Sequence, residues 1–226
     1  MDLTLHYDNL YNDFIPELKS NNYQTDKLID STDDNRFGIT LIIRPDSHVK
    51  NGIQKFLIDM KAIEPDQYYY PDSDIHVTVL SIISCYKGFD PAQITVPDYV
   101  EMIKKSLPGH RRFEILFRGI TASSSCIMIQ GFPNNNMLTD IRESLRGNFK
   151  KSNLQQTIDQ RYSICAAHAT VARLRKKLTK KEEYFNVLNN YREYYFGTSE
   201  VASVELVSND WYMRSKKVKE LQRFEI

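Results

Sequence analysis

Apolar positions along the chain change rhythm in a repeating order. RFGITLIIRP, from Arg36 to Pro45, is β-branched and ends at a proline, which predicts a buried strand. In SHVKNGIQKFLIDMKAI, Val49, Ile53, Phe56, Leu57 and Met60 then recur at the spacing of one helical face. A loop rich in tyrosine and proline leads to the short apolar strand DIHVTVLSI, Asp74 to Ile82. A helix opening at Pro97 (PDYVEMIKKSL), a turn at Pro108–Gly109–His110 and a strand RFEILFRGIT complete the series.

The order then starts again. SSCIMIQGFP reads as an apolar strand closed by proline. NNNMLTDIRESLRGNF reads as a helix with an Asn cap, with Met137, Leu138, Ile141 and Leu145 on one side. A second short strand, AAHATVARL, spans Ala166 to Leu174. A helix (TKKEEYFNVLNNYREYYF) and the strands EVASVELVSND, WYMRSKK and KELQRFEI close the half. Two halves of like order suggest duplication of one unit. With no linker rich in Gly, Ser or Pro between them, residues 36–226 read as two lobes of one domain, about 36–123 and 124–226. Residues 1–35 form an extension, with a short helix from Leu5 to Ser20 carrying Leu10, Phe14 and Leu18, then a polar loop.

Both short strands hold the pattern His-x-Thr-Val: His76 with Thr78, and His168 with Thr170. Side chains two apart on a strand share a face, so each motif offers one imidazole beside one hydroxyl. Ile75, Val77 and Val79 fill the other face of the first strand, and Ala167, Ala169 and Val171 that of the second. Two histidines across a cleft suit general acid and base work, because an ordinary pKa near ~6.5 lets one be neutral and the other protonated. Threonine hydroxyls can donate to the non-bridging oxygens of a phosphodiester. The expected mechanism uses no metal and no other cofactor. A zinc site wants three or four protein ligands, and although Asp74 shares the face of His76, Ala166 stands at the matching place in the second motif.

Composition narrows the partners. Thirty basic and twenty-nine acidic residues among 226 leave a net charge of +1, so no global field draws the chain to long duplex nucleic acid or to an anionic membrane. No apolar run reaches the roughly 20 residues of a membrane span, and the N-terminus lacks signal-peptide order, so a soluble, cytoplasmic monomer is expected. Cys85, Cys126 and Cys165 read as small buried hydrophobes rather than disulfides or metal ligands.

The chain resembles the 2H phosphoesterase superfamily over approximately Arg36 to Ile226, on its two His-x-Thr motifs and on HATVARL, which is similar to the form common among 2′-5′ RNA ligase-like proteins. The resemblance implies an α+β, bilobal fold with two pseudo-symmetric lobes whose antiparallel sheets surround a central cleft. It implies His76 and His168 as catalytic residues and Thr78 and Thr170 as phosphate-binding residues. The function expected is metal-independent hydrolysis of a 2′,3′-cyclic phosphate or a 2′-5′ linkage in a nucleotide or RNA terminus. A non-catalytic RNA-end or cyclic-nucleotide binding module and a 2′-5′ RNA ligase are the alternatives. His168 is assigned as base and His76 as acid, an order the near-symmetry of the motifs leaves open.

Further substrate contacts are candidates only. Arg173 lies five positions after His168, so a regular strand turns it away from the imidazole. Tyr86, Trp211 and Tyr212 could stack a base, as could Tyr68, Tyr69 and Tyr70, although packing is the commoner use of each. The basic run from Arg173 to Lys181 could steer a nucleotide, but reads first as a solvated face. His6, His48 and His110 fit surface or capping roles.

Overall fold

In the computed structural model, which describes residues 2–109 and 111–226, two antiparallel sheets face each other across a cleft and helices cover their outer sides. His110 lies outside the described residues. The elements are α1 (Leu3–Lys19), β1 (Arg36–Ile43), α2 (Ser47–Ile63), β2 (Tyr68–Tyr69), β3 (Val77–Lys87), α3 (Val96–Ser106), β4 (Phe113–Ser123), β5 (Cys126–Pro133), α4 (Met137–Lys150), β6 (Ala169–Arg173), α5 (Lys181–Asn190), β7 (Tyr195–Val201), β8 (Ser203–Asp210) and β9 (Lys219–Glu225). One sheet has the order β3-β1-β8-β9 and the other β2-β6-β5-β4-β7.

This is the bilobal α+β architecture expected. The strands nevertheless cross the sequence boundary between positions 123 and 124. β4 pairs with β5 along most of its length, and β8 and β9 join β1 and β3. Each sheet therefore draws on both halves of the chain.

Burial explains the strongest elements. β1 is covered on both faces from Gly38 to Ile43 and sits between β3 and β8, as its unbroken apolar run requires. The buried face of α2 is Val49, Ile53, Phe56, Leu57 and Met60, the set its periodicity marks. In α1 the buried residues are Tyr7, Tyr11, Phe14 and Leu18, so two tyrosines take the place expected of Leu10. WYMRSKK forms turns instead of a strand, and the helix expected to run through Tyr195 and Phe196 stops at Asn190, where those two residues enter β7. Asn136 begins α4 without a side-chain cap; Asn135 Oδ1 instead accepts the Met137 N–H at 2.9 Å. Among the described residues no helix is long and apolar enough to cross a membrane.

Candidate active site

The cleft between the sheets, about 150 Å³ in volume, is lined by His76, Thr78, His168 and Thr170 together. The two motifs, distant in sequence, meet there because β3 borders one sheet and β6 lies in the other. His76 sits just before β3, after the one-turn 3₁₀ helix Asp72–Asp74, and His168 just before β6. In both strands the intervening Val77 and Ala169 are fully buried, which turns the imidazole and hydroxyl toward the cleft.

The two imidazoles are held differently. His76 Nδ1 lies 2.8 Å from the Asp74 carbonyl oxygen, which can only accept, so Nδ1 carries the proton and Nε2 keeps a free lone pair. The Asp74 carboxylate is turned away, accepting from Ser73 Oγ at 2.8 Å and from the Ser215 N–H at 3.0 Å. It fixes the turn that presents His76 and does not join the ring as a ligand. His168 Nδ1 is buried and has no hydrogen-bond partner among the described residues. Burial, above all, pushes both rings down to about 4. The nearby cations Arg44 and Arg173 add to this for His76, and Arg142 does so for His168. Both rings are therefore neutral at pH 7, not split into one neutral and one charged as their ordinary pKa suggests.

Arg142 is a residue that sequence reading missed. Its guanidinium, buried beneath the middle of α4, donates to the carbonyls of Thr78 and Val79 at 2.8 Å and of Cys165 and Ala166 at 2.9 Å. One side chain thus ties the first motif strand to the segment entering the second. The signal was present: position 142 lies on the apolar face of α4 with Leu138, Ile141 and Leu145.

The other candidates divide. Arg173 lines the cleft after all. Opposite β5, Thr170 pairs with Met128 and Ala172 with Ile127, so Val171 is an extra residue that reverses the alternation and brings Arg173 to the face of Thr170. Its guanidinium donates to Tyr70 Oη at 2.9 Å and pairs with Asp26 at 3.3 Å. Trp211 lines the cleft as well. Tyr212 does not: it is 1% exposed, and its hydroxyl donates to Asp26 at 2.7 Å. Tyr86 lies outside the cleft and accepts from Gln155 at 2.9 Å. Of the three adjacent tyrosines only Tyr70 reaches the lining.

The basic run is largely committed to the protein. Arg175 pairs with Asp30, Lys176 with Asp66, and Lys177 and Lys181 donate to backbone carbonyls. Cys85 and Cys126 are buried as expected, with burial pushing the Cys85 thiol up to about 12, but Cys165 is exposed at the polar approach to β6. His48 donates to the Thr198 carbonyl at 2.8 Å, away from the cleft. Among the described residues no group of three His, Cys, Asp or Glu side chains is arranged to hold a metal ion.

Residues 45–218 match the family model described as the AKAP7 2′5′ RNA ligase-like domain. The chain belongs to that family. With it the chain falls in the 2H phosphoesterase superfamily. Its fold is similar to that of E. coli LigT complexed with 3′-AMP (TM-score 0.58, 11% identity, 85% of this chain and 99% of that one). It is also similar to TT0787 of Thermus thermophilus (TM-score 0.57, 14% identity, 83% and 97%) and to a further crystal structure described as a phosphoesterase (TM-score 0.56, 9% identity, 85% and 99%). No curated protein matches the sequence.

Proposed function

We propose that this 2H phosphoesterase is a metal-independent phosphodiesterase that cleaves a 2′,3′-cyclic phosphate or a 2′-5′ linkage in a small RNA-derived or nucleotide substrate. One observation carries the reading: both imidazoles and both threonines of the twin motifs line a single cleft. A phosphodiester needs a base for the attacking oxygen, an acid for the leaving oxygen and donors for its non-bridging oxygens. The four side chains match that set. That LigT was crystallised with 3′-AMP, ATP, NADP+ and phosphate supports a nucleotide as the ligand.

The hydrogen bonds favour a definite order of roles. The Nε2 lone pair of His76 takes the proton of the attacking water, or of the neighbouring ribose hydroxyl for a 2′-5′ bond. His168, whose ring has no partner on its buried Nδ1 among the described residues, takes up a proton when the anionic phosphodiester binds and, as the imidazolium, delivers its Nε2 proton to the departing ribose oxygen. Thr78 and Thr170 donate to the phosphoryl oxygens as charge builds. This reverses the order assigned from sequence.

The test is turnover of 2′,3′-cyclic mononucleotides, 2′-5′ oligoadenylates and cyclic dinucleotides in EDTA. Activity is expected without added metal, and His76→Ala and His168→Ala are each expected to lose about 10² to 10⁴-fold. Tight binding with no turnover would mark a capture module, and an obligatory divalent metal would overturn the mechanism.

A further inference from the structure

The cleft continues well beyond the catalytic pair, along a polar strip on the first sheet. Thr78, Ser81 and Ser84 all line it, one every third residue. On a regular strand Leu80 and Ile82 would follow Thr78 to the cleft; Leu80 does line it, but Ser81 and Ser84 stand there in place of Ile82. The register supplies the reason. Ile42 pairs with Thr78, Leu41 with Leu80, Thr40 with Ser81, Ile39 with Ile83 and Phe37 with Tyr86, so β3 gains an extra residue against β1 at three places. The first two extra residues bring the Ser81 and Ser84 hydroxyls to the cleft. Thr40 and Asn209 on the adjoining strands widen the strip.

The strip ends in a cationic and aromatic cluster. Trp211 follows Asp210, which pairs with Phe37, whereas Thr78 pairs with Ile42; the stretch of β1 between these points spans about 16 Å. Arg161 lies over the Trp211 ring, 4.8 Å from its centroid, and donates to the Cys85 carbonyl at 3.1 Å. Tyr162 beside it is 66% exposed. Two arginines line the cleft, Arg161 and Arg173. Arg173 is paired with Asp26, while Arg161 has no carboxylate within salt-bridge distance among the described residues. The acidic lining residue, Asp159, is held by Arg146 at 2.6 Å. The far end of the cleft therefore presents an uncompensated positive charge.

A single nucleoside phosphate with its phosphorus at the motifs does not extend this far. We propose that the strip is a binding track for a single-stranded oligonucleotide, in which the hydroxyls of Ser81 and Ser84 follow the sugar-phosphate chain and Arg161 holds a phosphate remote from the one being cleaved. Tyr162 stacks a base at the mouth. The inference rests on the phosphodiesterase reading and names its substrate class: an oligonucleotide end is preferred over an isolated cyclic mononucleotide.

Two ligands that cannot react separate the contributions: deoxyadenosine 3′-monophosphate, and a deoxyadenylate trimer with a 3′-phosphate, neither having the ribose 2′-hydroxyl. Calorimetry with wild type, Arg161→Gln and Ser81→Ala/Ser84→Ala measures both. The trimer is expected to bind wild type at least tenfold more tightly than the mononucleotide, with a gain that shrinks as salt rises. Arg161→Gln should remove most of that gain and leave mononucleotide affinity unchanged, with the thermal midpoint held. Equal affinity of wild type for both ligands, or an equal loss of both in Arg161→Gln, overturns the track while leaving the catalytic reading in place. Failure of wild type to bind either ligand would instead strike the catalytic reading itself, and the track with it.

Discussion

The imidazole of His76 donates its Nδ1 proton to the Asp74 carbonyl at 2.8 Å. This bond equips His76 to begin as base, because it leaves Nε2 unprotonated in the neutral ring. His168 lacks any such anchor among the described residues. If His168 is the acid, its work lies at the leaving oxygen, and a leaving group that needs no proton makes it dispensable. His168→Ala is therefore expected to regain most of its lost rate on a p-nitrophenyl phosphodiester, whereas His76→Ala stays about 10² to 10⁴-fold down on both substrates. Equal losses of the two variants on the activated substrate would reject the order.

Arg142 holds four carbonyls on two motif segments and has no carboxylate partner among the described residues. Arg142→Met leaves those oxygens buried and unpaired, at roughly 1 to 3 kcal/mol each before relaxation, so a loss of at least ~3 kcal/mol is expected in urea unfolding. Arg142→Lys keeps the charge but has too few donors for the fork, and its loss should be intermediate. A purely structural role would leave ring titration alone. Removing the cation is instead expected to raise the His168 pKa in the folded methionine variant, while the lysine variant keeps it low; NMR of the imidazole protons reads the difference.

What the sequence revealed and what it hid follow from one geometric fact. The strands that begin directly after His76 and His168 are legible because an apolar residue on either side of each imidazole marks a half-buried strand. The duplicated order gave their likeness. The rest depended on extra residues in β3 and β6, which change which side chains face the cleft without altering composition or hydrophobicity. Simple alternation turns Arg173 the wrong way, and it gives no reason to bring both Ser81 and Ser84 to the face of Thr78. Tyr212 failed for another reason: an aromatic next to Trp211 says nothing about which of the two is covered, and here Asp26 and three arginines close around Tyr212.

Gly131 on β5 packs its backbone against the segment that carries the second motif. A Cβ there would overlap the Ala167 carbonyl oxygen, one residue before His168. Tyr7 of α1 closes the same point, its hydroxyl donating to the Gly131 carbonyl at 3.0 Å and accepting the Ala167 N–H at 3.2 Å. Gly131→Ala must push the His168 segment away, and is expected to cost stability and to reduce kcat well beyond the change in a surface control. Tyr7→Phe removes both kinds of bond while keeping the ring; it should reduce kcat and stability less than Gly131→Ala. A Gly131→Ala enzyme with wild-type kcat would show that the second motif does not depend on this contact.

The depressed pKa values of His76 and His168 make ligand binding and stability depend on pH in opposite directions. In the folded protein both rings titrate at about 4, against ~6.5 in an unfolded chain, chiefly because burial disfavours the cation. The unfolded chain therefore binds more protons between those values, so the contribution of these rings to stability is complete above about pH 6.5 and is lost as pH falls toward 4. A bound phosphodiester acts the other way. Its negative charge favours the imidazolium, raises the ring pKa and draws in a proton, so affinity for a phosphodiester of constant charge should tighten as pH falls from 8 to 5, by up to about tenfold per unit. The same uptake separates the rate profiles: kcat/KM, which reports the free enzyme, is expected to have its optimum at lower pH than kcat, which reports the bound complex. Calorimetry in buffers of different ionisation enthalpy measures the proton taken up directly. Zero uptake at pH 7, together with coincident optima for kcat and kcat/KM, would show that the bound anion does not charge the dyad.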